Sequence, residues 1–139
     1  MLYFAYGSNL SHKQITERCP SSVFVAPATL KEYRFIFSGY SPRWGSSVAN
    51  IAKDAEGTVH GALFEMSEND LEHLAGLGGS QGYSQVDVMV EHAGISKMAR
   101  TFISTDTTLG QPSDDYLNTM KLGAEDCELP EKYIESLEV

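Results

Sequence analysis

The sequence LYFAYGSNL at residues 2–10 decides how the chain begins to fold. Its first five residues are apolar or aromatic, which is typical of a short buried strand. Gly7 then allows a turn. Ser11, with Gln14 three residues later, has the pattern of a capping box at a helix N-terminus. The stretch therefore predicts a strand, a tight loop and a capped helix in direct succession.

Such a junction of strand, turn and helix presents consecutive backbone N–H groups, which together can bind an anion. Ser8 and Asn9 can add side-chain hydrogen bonds to the same guest. A carboxylate is therefore the natural ligand of this loop. Phosphate fits the same geometry, but the loop lacks the lysine and the spacing of a P-loop. On the residues alone, a purely structural turn is the alternative interpretation.

The rest of the chain alternates short apolar runs with turn signals. The predicted strands are Leu2–Tyr6, Val23–Thr29, Tyr33–Ser38, Val48–Ala52, Val59–Met66, residues 85–90 and Met98–Ser104. The predicted helices are Ser11–Cys19, Ser67–Leu74, Asp114–Leu122 and Glu131–Leu137, and the predicted loops include Gly39–Ser47, a turn at Asp54–Gly57 and the glycine-dense Gly76–Gly82. This order does not alternate strictly between strand and helix, so a doubly wound parallel sheet is not expected.

We predict an α+β fold for the chain. It is a compact single domain over residues 1–139, with a mixed, curved or barrel-like sheet of about six to seven short strands flanked by about four helices.

Composition narrows the class of partner. The chain has 10 basic and 19 acidic residues, a net charge of −9, whereas nucleic-acid and anionic-membrane surfaces call for basic proteins. No apolar run approaches the ~20 residues that span a bilayer, and the N-terminus does not resemble a signal peptide. Cys19 and Cys127 have neither metal-ligand nor disulfide-framework spacing. We therefore expect an intracellular, cytoplasmic protein that acts on a small molecule, without nucleic acid or membrane.

Five segments of the sequence, in the same order, resemble the γ-glutamylcyclotransferase family. They are YGSNL at 6–10, WGSSVA at 44–49, GALF at 61–64, LEHLAG at 71–76 followed by GY at 82–83, and the C-terminal part from 116 to 137. The corresponding family patterns include YGSN, G-x-[VL]-[YFW] and L-D-x-x-E-G followed by a tyrosine. The C-terminal segment resembles the animal, glutathione-linked branch in particular.

The resemblance implies a reaction that uses neither metal nor organic cofactor. The α-amine of a γ-glutamyl amide attacks its own γ-carbonyl, which gives 5-oxoproline and releases an amino acid or amine. Such a reaction needs the amine held against the carbonyl, fixed donors for the oxyanion and a group that removes a proton. Some relatives form dimers, so a homodimer is possible. The implied substrate-binding residues are Tyr6, Gly7, Ser8, Asn9, Leu10, Tyr83 and Tyr116.

The family's general-base glutamate has no counterpart when L-D-x-x-E-G is laid on LEHLAG, because the glutamate position falls on Ala75. The alanine could be a mutation made to inactivate the protein, or a natural loss of turnover, or a neighbouring acid could replace the base. Glu72 is the best-placed substitute, since it lies three residues earlier on the same predicted helix. The sequence does not decide whether Asp87 and Glu65 lie on the face of the sheet that lines the site.

Two functions follow from this position. The first is a cyclotransferase whose present form is impaired at Ala75. The second is a module that binds γ-glutamyl ligands in the same pocket without chemistry. The sequence does not discriminate among glutathione, γ-glutamyl-amino acids and γ-glutamyl-amines as ligands, because all three present the same end to the YGSN loop.

Overall fold

A computed structural model describes residues 1–79 and 82–137 of the chain. The elements in chain order are β1 (Leu2–Ala5), α1 (His12–Arg18), β2 (Val23–Ser41), β3 (Ser46–Glu65), α2 (Glu68–Gly79), β4 (Tyr83–His92), β5 (Ile95–Ser104), α3 (Asp114–Asp126) and α4 (Glu131–Ser136). A 3-10 turn over Ser8–Leu10 links β1 to α1. The predicted α+β class and barrel-like sheet are confirmed.

The strands form a closed barrel in the order β1-β3-β2-β4-β5. All neighbours pair antiparallel except β1 and β5, which meet in parallel with Tyr3 opposite Arg100 and close the barrel. The buried hydroxyl of Thr101 donates a hydrogen bond of 2.9 Å to the carbonyl of Phe4 across this seam. Because the barrel is closed, the short strand β1 is paired on both sides.

The predicted number of strands was wrong, because two pairs of predicted strands are each one long strand. β2 covers both Val23–Thr29 and Tyr33–Ser38, and β3 covers the predicted turn at Asp54–Gly57. Lys31 pairs with Thr58, and two residues later Tyr33 pairs with Lys53, so the register shifts between them. The residues predicted as a turn are therefore a bulge in a continuous ladder. Bulges bend a strand strongly enough to curve the sheet into a barrel.

Helix α2 is longer than predicted. It begins at Glu68 but continues through Gly79, although glycine disfavours a helix by roughly 1 kcal/mol per residue. Its buried face carries Leu71 and Leu74, which are 1% and 2% exposed and pack into the core. This packing outweighs the local propensity for a loop over Gly76–Gly79. Ser80 and Gln81, in the remainder of the predicted glycine-dense loop, lie outside the described residues.

The core fills the barrel interior and the layer beneath α1, α2 and α3. The largest fully buried side chains include Phe4, Phe64, Leu63 and Ile51. Asn50 is the conspicuous polar member, with no exposed surface. It donates 2.9 Å to the carbonyl of Ser104 and accepts 3.0 Å from the amide of the same residue, so β3 is tied across the barrel to the end of β5.

Candidate active site

The YGSN loop lies between the end of β1 and the start of α1, and side chains of α1 hold it in place. Ser11 caps α1 by accepting a 3.2 Å hydrogen bond from the amide of Gln14, as the sequence predicted. The Gln14 side-chain amide then donates 2.7 Å to the Ser8 hydroxyl and 3.0 Å to the Asn9 side-chain oxygen. The capping residue pair therefore also fixes the loop that precedes it.

The side chain of Asn9 makes several hydrogen bonds inside the protein. Its oxygen also accepts 2.9 Å from Nη1 of Arg18, and its amide donates 3.1 Å to the hydroxyl of Tyr3. These three hydrogen bonds give the side chain a structural role, and its hydrogen bond to a ligand stays a prediction. The backbone amides of Gly7 and Asn9, by contrast, donate to no protein acceptor within the described residues. These amides remain available to an anion or a carbonyl.

Tyr116 of α3 ties the loop to β3. Its hydroxyl oxygen accepts hydrogen bonds from the amide of Ser8 at 3.4 Å and from the amide of Ala49 at 3.0 Å. This contact requires glycine at position 7, because a Cβ there would lie 2.8 Å from the Tyr116 hydroxyl and 2.9 Å from the Ala49 Cβ. The N-cap Ser113, which accepts 3.1 Å from the Tyr116 amide, fixes the start of α3.

A cavity opens in front of this loop and encloses about 650 Å³ of empty space, including open solvent at its mouth. The YGSN loop forms one wall. Other walls come from Trp44, Val48 and Ala49 around the start of β3, from Leu74 and Leu77 of α2, and from Tyr83, Phe102 and Tyr116.

Three buried tyrosines and the half-buried Tyr83 line the cavity, and their hydroxyl groups are already engaged. Tyr6 donates 2.5 Å to the carbonyl of Phe102, and Tyr83 donates to the carbonyl of Ala49. Burial is the main cause of the raised pKa of Tyr3, Tyr6, Tyr83 and Tyr116. These side chains are neutral near pH 7 and shape the walls as hydrogen-bonded aromatic surfaces.

Two arginines give the cavity its charge. Arg18 of α1 and Arg43 of the β2–β3 turn both line it. Burial lowers the pKa of Arg18, and the positive charge of Arg43 lowers it further. Within the part of the chain that the structure describes, no Asp or Glu lines the cavity and neither arginine forms an ion pair. The electrostatics therefore favour an anionic ligand.

The structure brings together six of the predicted site residues. They are Tyr6, Gly7, Ser8, Asn9, Tyr83 and Tyr116, which all line the cavity. Leu10 does not; its side chain is fully buried in the core. Ala75 is half-buried and packs against the core rather than lining the cavity.

The acids considered as substitutes for the base lie outside the cavity. Glu72 is exposed on α2. Asp87 accepts a 2.9 Å ion-pairing hydrogen bond from Arg100, and Glu65 pairs with the N-terminal ammonium. None of these three carboxylates lines the cavity.

Sequence reasoning missed the two arginines and Tyr3. Arg18 follows Asn9 by nine residues and reaches back to it along α1, a contact that helix geometry allows but the motif does not contain. Arg43 had no sequence signal, because its proximity to the YGSN loop depends on barrel closure. The described residues contain no group of three or more His, Cys, Asp or Glu arranged to hold a metal ion. No helix among them combines the length and apolarity needed to cross a membrane.

The fold and the site together define a class: a closed α+β barrel with a small-molecule cavity built on a YGSN loop after its first strand. Comparison with known proteins identifies the family within that class. The AIG2-like family matches residues 58–137. Curated γ-glutamylcyclotransferases of Mus musculus and Homo sapiens are each 30% identical over 143 residues, which cover 98% of this chain and 76% of each relative. The chain belongs to the AIG2-like γ-glutamylcyclotransferase family.

Solved structures agree with this assignment. A γ-glutamyl cyclotransferase structure superposes with a TM-score of 0.94 at 30% identity, over 99% of this chain and 85% of that one. A yeast γ-glutamyl cyclotransferase described as specific to glutathione has a TM-score of 0.67 at 13% identity, which shows a shared fold alone.

Proposed function

We propose that the cavity binds a γ-glutamyl amide and cyclises it to 5-oxoproline, and that turnover is impaired because a carboxylate base is missing. The observation that carries the proposal is the YGSN loop, which lines the cavity and whose Gly7 and Asn9 amides have no protein acceptor among the described residues. Membership of the γ-glutamylcyclotransferase family supports the substrate class.

The reaction needs two protons removed from the α-nitrogen of the substrate and one delivered to the leaving nitrogen. The α-ammonium loses the first proton, its nitrogen then attacks the γ-carbonyl carbon, and the same nitrogen loses the second proton once the new bond has formed. The bond from that carbon to the leaving nitrogen breaks after this nitrogen takes up a proton. The loop amides are suited to the developing oxyanion, since they are fixed in position and need no reorganisation. The neutral tyrosine walls exclude water and hold the folded substrate conformer.

The base is the missing part. General-base assistance contributes typically 10²–10⁴-fold to a rate, and no Asp or Glu among the described residues lines the cavity. The pattern L-D-x-x-E-G fits the sequence of α2 in two frames. One begins at Leu71 and puts the glutamate position at Ala75; the other begins at Leu74 and puts it at Gly78. Neither residue carries a carboxylate.

The geometry of α2 favours the second frame. Leu74 and Leu77 line the cavity whereas Ala75 does not. Position 78 lies four residues after Leu74, so it falls on the same side of the helix. We therefore place the missing base at position 78 rather than at position 75.

A binding module is the second candidate function, and the lack of a cavity carboxylate is the observation that favours it. Both candidates predict that γ-glutamyl ligands bind. They differ in whether bound ligand is converted to 5-oxoproline.

One experiment tests both candidates. Trp44 is the single tryptophan and lines the cavity, so its fluorescence reports a bound ligand. We expect γ-glutamylalanine to bind saturably and to release 5-oxoproline slowly. The isomer α-glutamylalanine, with the same composition and charge, is the matched control and should bind more weakly and release none. Binding without any 5-oxoproline after prolonged incubation would support the binding module. No preference for the γ-linked isomer would contradict both.

The compartment and the oligomeric state complete the proposal. Cys19 and Cys127 are free, buried thiols, which fits a reducing compartment, and we place the protein in the cytoplasm. A homodimer stays a prediction that sedimentation can test.

A further inference from the structure

The cavity carries two positive charges with no acidic partner among the described residues. This imbalance indicates where a bound ligand carries its negative groups. Arg18 is half-buried and Arg43 is exposed at the mouth. The two lie close enough for the charge of Arg43 to lower the pKa of Arg18. Two like charges that repel across a cavity are both stabilised when anionic groups of a ligand come between or beside them.

The two arginines occupy different depths of the cavity. Arg18 donates a hydrogen bond to Asn9, so its guanidinium lies beside the YGSN loop. Arg43 lies on the turn between β2 and β3. That turn is fixed, since the amides of Trp44 and Gly45 donate to the carbonyl of Ser41 and the Trp44 ring meets the Tyr116 ring edge-on at 5.0 Å. The guanidinium of Arg43 forms no ion pair with the described residues, while its backbone is anchored.

We infer that Arg43 determines specificity by binding a carboxylate on the leaving group of the γ-glutamyl amide. The inference rests on the proposed function, in which the γ-glutamyl end occupies the loop. A γ-glutamyl amide of an amino acid or peptide carries two carboxylates, one on each side of the scissile bond. The first lies near the loop and Arg18, and the second lies towards the mouth and Arg43. A γ-glutamyl amide of a simple amine has only the first and leaves Arg43 without a partner.

A pair of ligands isolates this carboxylate. γ-Glutamylalanine and γ-glutamylethylamide differ only by the carboxylate of the leaving group. Fluorescence of Trp44 gives the Kd of both ligands in the full chain and in Arg43→Gln, at low ionic strength. We expect the full chain to bind γ-glutamylalanine about tenfold more tightly than γ-glutamylethylamide. In Arg43→Gln this ratio should fall to about two or less, because the substitution weakens the binding of γ-glutamylalanine more than that of γ-glutamylethylamide.

Arg34→Gln is the matched control, because Arg34 is exposed on β2, does not line the cavity and is lost with the same change of net charge. Its ratio should equal that of the full chain. Arg43→Lys should keep part of the preference, since it retains the charge and loses the planar fork.

Three results would overturn the inference. Equal affinity of the full chain for the two ligands, or an unchanged ratio in Arg43→Gln, would contradict the role of Arg43 and leave the proposed function intact. An equal fall of the ratio in Arg34→Gln would show a general charge effect rather than a contact. Failure of both ligands to bind the full chain would contradict the proposed function itself, and this inference with it.

Discussion

At the scale of single residues, Gly7 is the position where one added carbon atom would disturb the site. A Cβ at this position would meet the Tyr116 hydroxyl at 2.8 Å and the Ala49 Cβ at 2.9 Å. The hydroxyl that accepts from both Ser8 and Ala49 would have to move. The loop, which lines the cavity, would move with it. Glycine is therefore needed for close packing here rather than for a left-handed backbone, because its φ is −119°.

We predict that Gly7→Ala lowers the free energy of unfolding by about 1–3 kcal/mol, the usual cost of overpacking, and weakens γ-glutamylalanine binding at least about tenfold. Thermal unfolding and Trp44 fluorescence measure the two effects. Gly76→Ala is the control, since an added Cβ there meets nothing within 4 Å. It should stabilise the helix by roughly 0.4–1 kcal/mol and leave binding unchanged. Normal affinity in Gly7→Ala would contradict the role of this contact.

The residue scale also shows what sequence could and could not predict about the site. The succession of strand, YGSN loop and helix was predictable because the contacts that Ser11 and Gln14 make with it are local. Arg43 was not, since only the closed barrel brings its turn to the cavity. The frame of α2 is a related case. The sequence alone placed the glutamate position at Ala75, and the frame proposed above, which begins at Leu74, rests on the residues that line the cavity.

At the element scale, α3 positions Tyr116 through its N-terminus. Ser113 is the N-cap and accepts 3.1 Å from the amide of Tyr116. Its own amide donates 2.8 Å to the hydroxyl of Ser46, at the start of β3. The first turn of α3 is thus tied to the strand whose Ala49 amide Tyr116 also binds.

We predict that Ser113→Ala destabilises the protein by about 1 kcal/mol through loss of the cap. The Ser113 hydroxyl accepts from the amide of Tyr116, which lines the cavity. Ligand binding should therefore weaken by a few-fold as well. Ser96→Ala, at an exposed position on β5, is the control and should change neither quantity. Urea unfolding with a ligand titration would measure both, and an unchanged midpoint for Ser113→Ala would contradict the assignment of the cap.

Element positions were predictable from apolar alternation, whereas element lengths were not. The runs around Phe35 and Val59 were identified correctly as strand. Their continuity across the bulge near Lys31 was not apparent, since a bulge and a turn share the same polar, glycine-containing signal and differ only in what pairs on either side. The length of α2 depended on tertiary packing that overrides the low helix propensity of its glycines.

At the scale of the whole molecule, the protein buries many groups in their neutral form. Five of the seven tyrosines have a raised pKa, with burial as the largest cause: Tyr3, Tyr6, Tyr83, Tyr116 and Tyr133. Burial likewise raises the pKa of the Cys19 thiol to about 11 and of the Cys127 thiol to about 12. In the unfolded chain these groups ionise near pH 8.5–10.

The sign of the resulting pH dependence follows from proton binding. Above about pH 8.5 the folded protein holds more protons than the unfolded chain. The contribution of these groups to the free energy of unfolding is therefore fully present below that pH and declines as pH rises. We predict that the urea midpoint falls steadily from about pH 8.5 to 11. Absorbance at 295 nm should show that the buried tyrosines ionise only as the protein unfolds. Ionisation of all seven in the folded state below pH 10.5 would contradict their burial.

The central claim is that the chain keeps the γ-glutamyl cavity of its family and lacks only the base. Release of 5-oxoproline from γ-glutamylalanine, measured side by side for the chain, Gly78→Glu and Ala75→Glu, tests it most directly. We expect Gly78→Glu to exceed the chain by about 10²–10⁴-fold, and Ala75→Glu to remain close to it. Faster turnover in Ala75→Glu would place the base one helical turn earlier. No gain in either variant, with both folded, would contradict the claim that a missing carboxylate is what limits this protein.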